Sequence, residues 1–470
     1  MRFDTVISGG TVVTASDTVA CDVGIVGGKV AALGRGFDDA AEIIDASGLL
    51  VMPGGIDSHV HVAQPGPEGT LPADDFESGT RSAAVGGNTT IMPFCLQQKG
   101  QGLREALASY LRETEGKCYT DVGIHLIIAD PSASVLGQEL PALIADGYTS
   151  LKIFMTYDDL RLDDRQILEV LSVAAREGGL VMVHAEGHDA IKFLADRMER
   201  EGNTGFVYHG RSRPIPVERE ATHRAISFAE IVETPVMIVH VSNRESMEEI
   251  RRAQQRGLKV YGETCPQYLV LTEADMDRPG TEGAKYVCSP PPRDLESQTA
   301  CWEGLEQGVF EVFSSDHSPF RYDDPRGKLT PKGRTNFRYV PNGIPGIAVR
   351  MPILFSEGVV TGRIDLNRFV ALTSTNHAKR YGLYPQKGTI AVGSDADIVL
   401  WDAGRKVTIR HDMLQDGCDY TPYEGMTVTG WPVRTLLRGK TIVDDGVVVG
   451  RMEGGVIPQT NHATSRGQRN

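Results

Sequence analysis

Apolar, β-branched residues fall in short bursts along this chain, and what separates the bursts changes twice. Over the first fifty residues the bursts are TVISGGTVVT, DVGIVGGKVAALG and AEIIDASGLLV. Gly9-Gly10 and Gly27-Gly28 punctuate them as hairpin turns would. The same texture returns in GTIAVGSDADIVLWD, KVTIR and WPVRTLLRGKTIVDDGVVVG. Two strand-rich ends around a different middle predict one small β-sandwich domain built from both termini, 1–52 plus 386–449.

The middle, 53–385, alternates. Its apolar runs lie near 51–62, 87–95, 120–128, 150–156, 180–186, 235–242, 259–265 and 309–316. Helical patterns separate most of them. After Asp163-Asp164, for example, Ile167, Leu168, Leu171, Ala174 and Ala175 recur at helical spacing until Gly178-Gly179 stops the helix. Eight strand–helix alternations predict an α/β protein with a parallel (β/α)8 TIM barrel, and strands buried on both faces explain the near-continuous apolar runs. Residues 450–470 are polar and turn-rich, and read as a C-terminal tail or an arm reaching a neighbouring subunit.

At 470 residues, 40% hydrophobic and 23% charged, the chain can form more than one domain and has the make-up of a soluble globular enzyme. A formal charge of −14 argues against nucleic acid as a partner, which calls for clustered Lys and Arg. Seven scattered cysteines, with no C-x-x-C pair, point to reduced thiols. MRFDTVISGG carries Asp4 and no long apolar segment, and no apolar stretch approaches the ~20 residues that span a bilayer. The expected location is the cytoplasm, away from membranes.

The chemistry sits where the runs end. His59 and His61 close the first run, Lys152 the fourth, His184 the fifth, His240 the sixth and Asp316 the eighth. Strand side chains alternate with a period of two, so His-x-His sets both imidazoles on one face. Barrel enzymes place their chemistry at the C-terminal strand ends, which brings these distant positions together. A lone strand-end histidine is usually structural, but four on the right strands of one barrel form a ligand set. His125, His188, His209, His223, His317, His377, His411 and His462 lack that placement and are read as structural or peripheral, with His317 orienting a neighbour.

Lys152 lies inside an apolar run, and an ammonium beside two cations is unfavourable. Desolvation and nearby positive charge lower a lysine pKa, and a neutral amine reacts with CO2 to give a carbamate able to bridge two metals. The plainer alternative is an ion pair with Asp316. Imidazole and carboxylate ligands suit zinc, while Mn2+, Co2+ or Ni2+ would also fit. Two such ions sharing a hydroxide make a strong nucleophile at neutral pH, with Asp316 as ligand and proton carrier.

The strings GGIDSHVH, ADDFESGTRSAAVGGNTT, SLKIFMTY, HAEG, YHGRSRP, HVSN, ETCPQYL, SPPPR, SSDHSPF, PNGIPG and GSDADIVLWD occur in that order. Together they resemble the hydantoinase/dihydropyrimidinase group of the amidohydrolase superfamily, from the first strand to about residue 450. The resemblance implies two Zn2+ per chain bridged by N6-carboxylysine at Lys152. His59, His61 and Asp316 would bind one ion, and His184 and His240 the other. It further implies that Tyr157 hydrogen-bonds a developing oxyanion, and that backbone groups of Ser289 and Asn342 hold the –CO–NH–CO– portion of a cyclic ureide or imide. Phe154 and residues 64–67 would wall the pocket. The implied assembly is a homotetramer, or a dimer.

The implied reaction opens dihydropyrimidines or 5-substituted hydantoins to N-carbamoyl amino acids. Pro93, in IMPFC, and Ala348-Val349 stand where family members often carry acidic residues, which leaves pocket shape and substrate open. The rival enzymes are an allantoinase or dihydroorotase type and a cyclic imide hydrolase. Ala63 stands where a dihydroorotase would have arginine and an allantoinase asparagine. The non-enzymatic rival is a dihydropyrimidinase-related scaffold that has lost ligands, whereas all six ligand types are intact here.

Overall fold

Each of the eight apolar runs contains a barrel strand. In the computed structural model, which describes residues 2–67 and 69–460, these are β1 (Gly55–Val60), β2 (Asn88–Leu96), β3 (Asp121–Val122 and His125–Ile127), β4 (Ser150–Phe154), β5 (Leu180–His184), β6 (Val236–Ile238), β7 (Val260–Thr264) and β8 (Phe310–Phe313). Every neighbour pair is parallel. A parallel bridge between Val60 and His317 closes the ring just past β8. The result is a TIM barrel. Strands β1, β4 and β5 are buried at every position, as expected of strands enclosed by helices on one side and barrel interior on the other.

The helix between β4 and β5 spans Asp164–Glu177. Asp163 caps it by accepting from the Gln166 amide, and Gly178, at φ 80°, ends it in the left-handed conformation that glycine adopts without strain. Ile167, Leu171 and Ala174 are buried as expected, but Ala175 is exposed and Val170 and Val173 take the remaining inward positions.

The termini share a second body of two sheets. Phe3–Ser8, Asp22–Val26, Lys29–Gly34 and Ala40–Asp45 form a four-stranded sheet. The other sheet has seven strands and joins Thr11–Val13 and Leu50–Pro53 from the N-terminal part to Ile398–Thr408 and Thr427–Leu437 from the C-terminal part. Ile7, Val23, Ile25, Val51, Ile398 and Leu436 fill the sandwich between them. Gly27-Gly28 turns a hairpin, as its sequence predicts. Gly9-Gly10 does not: it carries the chain from one sheet to the other. A Cβ on Gly10 would come within 2.5 Å of Val51 Cγ2, so this crossing requires glycine.

The segment after Gly450 also differs from expectation as far as Thr460. Instead of reaching outward it crosses the N-terminal end of its own barrel. Val456 bridges Val122, and the Gln459 side chain accepts from the Thr149 amide (3.0 Å) and donates to the Ile124 carbonyl (3.2 Å). Residues 461–470 of the expected tail lie outside the described residues. Among the described residues no helix is long and apolar enough to cross a membrane.

Candidate active site

The barrel brings all six predicted residues into one cluster at its C-terminal mouth, five of them at or just past strand ends and Lys152, contrary to expectation, from the middle of β4. His59 Nε2 lies 3.1 Å and His61 Nε2 3.3 Å from the same oxygen, Asp316 Oδ1. The ligand atoms of these three residues all lie within 4.8 Å of one another, a spacing that can hold a metal ion. Beside them, His240 Nε2 meets His184 Nδ1 at 2.9 Å. Lys152 stands between the two groups, its Nζ 3.4 Å from His59 Nε2. Among the described residues it forms no ion pair with Asp316, so the plainer alternative for this lysine is not what the fold builds.

Three of the imidazoles are oriented by an acceptor on their far side. His59 Nδ1 is 2.6 Å from Glu263 Oε1, His61 Nδ1 is 2.8 Å from Gln64 Oε1, and His184 Nε2 is 2.7 Å from Glu186 Oε2. A carboxylate or amide oxygen can only accept, so each outer nitrogen carries the proton and each inner nitrogen turns a lone pair into the site. Carboxylate support behind an imidazole is the usual arrangement around a metal. Among the described residues His240 has no such partner, and its Nδ1 is buried and unpaired.

Burial favours the neutral form of His59, His184 and His240. Burial first, then Lys152, hold His59 well below the usual imidazole range. Burial and His184 do the same to His240. Burial lowers His184 as well, against the pull of Glu186. The Lys152 amine is also pushed down by burial, with Glu263 and Asp316 opposing. Glu263 is surrounded by donors: His59 Nδ1, the His240 amide (3.1 Å) and Ser314 Oγ (2.8 Å). Those donors favour its carboxylate form, while burial pushes its pKa up.

The remaining predicted residues border this cluster. Phe154 is buried, stacked on His184 at 5.4 Å with Lys152 Nζ 5.2 Å from its ring centre. Tyr157 lies 5.3 Å from His184, and the side chains of Ser289 and Asn342 reach its hydroxyl. Burial and Glu186 push that hydroxyl up to about 12, so it stays a donor at neutral pH. Gln64 proves to be the acceptor behind His61.

Pro93 and Ala348-Val349 sit elsewhere. Phe94 turns its ring toward His59, His61 and Lys152, so Pro93, one residue before it, faces out of the barrel. Ala348 and Val349 belong to a separate hydrophobic cluster with Val340 and Ile353. Their departure from the family pattern is a matter of packing.

Three site residues also hold backbone angles that side chains seldom adopt: Tyr157 at φ 72°, His240 at 43° and Asp316 at 50°. Such conformations cost ~1–3 kcal/mol each and collect where function needs them. No local sequence signal marks them. Glu263 and Glu186 were more accessible, since each is a carboxylate closing an apolar run, the same signal that singles out Asp316. His125 and His377 are structural, bonded to the Ser58 carbonyl (2.9 Å) and the Ser58 hydroxyl (2.8 Å) respectively.

A (β/α)8 barrel with this cluster at its mouth defines a barrel enzyme whose donors suit divalent cations. The model of the Amidohydrolase family matches residues 50–442. A D-hydantoinase from Rhizobium radiobacter is 46% identical over 448 residues, covering 95% of this chain and 96% of its own. One from Geobacillus stearothermophilus is 45% identical, covering 95% and 94%. The crystal structure of dihydropyrimidinase from Brevibacillus agri NCHU1002 superposes with a TM-score of 0.94 at 44% identity, covering 97% of this chain and 99% of that one. The chain belongs to the hydantoinase/dihydropyrimidinase group of the amidohydrolase family.

Proposed function

We propose that this protein opens the cyclic amide of 5-substituted hydantoins or dihydropyrimidines, giving N-carbamoyl amino acids. The observation that carries the reading is the set of inward-facing imidazole nitrogens whose outer nitrogens are tied to Glu263, Gln64 and Glu186. In this reading His59, His61 and Asp316 hold one divalent ion, and His184 and His240 a second. The Lys152 lone pair would add to the carbon of CO2 with its N–H proton released to water, and the resulting carbamate would supply anionic oxygens as ligands for the ions. Zinc suits the donors, and Mn2+, Co2+ or Ni2+ also fit. Bound ions of this kind lower the pKa of water and polarise a carbonyl.

The chain's own residues do the rest. Backbone groups of Ser289 and Asn342 orient the ring amide. The Tyr157 hydroxyl, kept protonated by its surroundings, donates to the carbonyl oxygen as that oxygen gains charge. Asp316 would take the proton of the attacking water and pass it to the ring nitrogen as the C–N bond breaks. The D-hydantoinases among the relatives support a preference for the D-enantiomer. Seven free cysteines support a reducing, cytoplasmic setting, and the family resemblance supports a homotetramer, with a dimer as the other arrangement.

Turnover of hydantoin, dihydrouracil, D- and L-5-phenylhydantoin, allantoin, dihydroorotate and phthalimide, with metal analysis of the same protein, tests this. We expect hydantoins or dihydrouracil to be the best substrates and close to two ions per chain. Faster turnover of allantoin or dihydroorotate would replace the reading with a rival enzyme. Fewer than about one ion per chain and no turnover would leave the scaffold, since both ions are needed for the chemistry.

A further inference from the structure

Ser289 lies in the segment between β7 and β8, and the carbonyls around it are held by side chains from elsewhere in the fold. Lys328 Nζ donates to the Val287 carbonyl at 2.6 Å. His209 Nε2 lies 2.8 Å from the Cys288 carbonyl, and since a carbonyl only accepts, this nitrogen carries the proton. The Tyr268 hydroxyl donates to the Pro290 carbonyl at 2.8 Å. Carbonyls 287, 288 and 290 are therefore occupied. Among the described residues, none donates to the carbonyl of Ser289 itself.

Lys328 does more than its two companions. The same Nζ donates to the Pro341 carbonyl at 2.8 Å, one residue before Asn342. Its own amide donates to the Arg321 carbonyl at 2.8 Å, which ties it to the loop leaving Asp316. One buried residue thus joins the segments bearing Ser289 and Asn342 through its side chain, and is itself tied to the loop beyond Asp316 through its backbone amide. Its surroundings are hostile to a cation. Lys328 is fully buried, it has no ion-pair partner among the described residues, and burial lowers its pKa to about 7. An apolar residue of similar length would fill the space without that cost, but would leave the Pro341 carbonyl with no donor.

We propose that Lys328, with His209 and Tyr268, is a positioning residue. Together the three take the neighbouring carbonyls and leave the Ser289 carbonyl free for a ring N–H, and Lys328 reinforces the tie between the Ser289 and Asn342 segments that the Gly343 amide makes to the Val287 carbonyl at 3.1 Å. None of the three touches substrate. The idea rests on the cyclic amide reading, and the test separates the two.

Wild-type turnover on the substrate panel comes first. If no cyclic amide is opened, the hydrolase reading falls and this inference falls with it. With an active wild type, Lys328→Met is compared by KM, kcat and metal content. We expect metal content to be retained, KM to rise roughly ten-fold and kcat/KM to fall roughly a hundred-fold, the scale of a misplaced substrate. An unchanged KM, or a fall in kcat alone that tracks lost metal, overturns the inference while leaving the hydrolase reading intact. Should Lys328→Met fail to fold, Tyr268→Phe decides in the same terms. A KM rise of about two- to three-fold at unchanged metal content supports the clamp, and a wild-type KM overturns it.

Discussion

Two fully enclosed lysines, one at each end of the barrel, experience opposite electrostatics. At the C-terminal mouth, Lys152 has imidazoles and the rings of Phe94 and Phe154 around its amine and no ion pair among the described residues. Burial lowers its pKa. At the N-terminal end, Lys387 is just as buried but sits among carboxylates: Asp121 and Asp397 at 2.5 Å and Asp395 at 3.0 Å. Burial alone would lower it too, yet Asp397 and Asp121 carry it above the ordinary lysine value. Arg438 adds a second cation on Asp121 at 2.6 Å. The difference teaches that enclosure does not fix what a lysine is for. A paired ammonium fastens the barrel floor to the sandwich, whereas an unpaired amine is available to react.

Removing the reactive amine is the severest test of this contrast. Lys152→Ala should lose metal and at least about three orders of magnitude in kcat/KM, with partial rescue by short carboxylic acids plus zinc. A variant with wild-type activity after metal depletion would refute the mechanism.

The corresponding change at the other end should act on stability instead. Lys387→Met leaves the buried Asp397 without its cation and takes one of two from Asp121 and Asp395, and should cost about 3–5 kcal/mol, seen as a lower Tm, while kcat at moderate temperature stays unchanged. A folded-state pKa above the unfolded one means that this stabilisation is complete below the ordinary lysine value and fades only as pH rises through the higher one. The lysine's part of the Tm difference should therefore be flat between about pH 6 and 9. A difference that collapses within that range would show that Lys387 is not the paired ammonium described.

Tyr157→Phe sharpens the mouth's own division of labour. It should lower kcat by roughly 10²–10³-fold with metal content intact, the effect of removing one oxyanion donor. Loss of metal with loss of rate would instead make Tyr157 structural. Smallest of the four, Glu263→Gln should weaken metal affinity by about 10–100-fold in a chelator competition, since the imidazole of His59 loses its carboxylate support. Unaltered affinity would leave Glu263 a packing residue.

Much of the fold could be read from residue order. The Asp163 cap, the Gly178 stop and the eight apolar runs are local signals, and each element they mark is present. Structure departs from local expectation where a local signal has two structural meanings. Gly9-Gly10 reads as a turn, but paired glycines also serve where a backbone passes close to a side chain, here Val51. The polar stretch after Gly450 reads as a free arm, but polar groups such as the Gln459 amide equally suit the exposed strand ends of a barrel floor. Of the site, five of the six clustered residues were legible because each stands at or just past the end of a strand, and Lys152, in the middle of β4, because a lysine is out of place in an apolar run. Glu263 and Glu186 carry the same mark, but a strand-end carboxylate alone does not tell a metal ligand from a group that supports one. Lys328 and His209 carry no such mark, because their partners are backbone carbonyls about 41 and 79 residues away in the chain.

By itself, the order of residues determined which side chains stand at strand ends and which face they share, since alternation along a strand is a property of adjacent positions. Only the closed barrel decided that Lys152 lies beside His59 with no ion pair among the described residues, while Lys387 lies among aspartates. It also decided that Lys328 spans three loops, and that His240 and Asp316 accept a left-handed backbone. The physical reason is that the charge state of a buried group and the strain on a backbone depend on everything within a few ångströms, and in a barrel those neighbours come from the whole length of the chain.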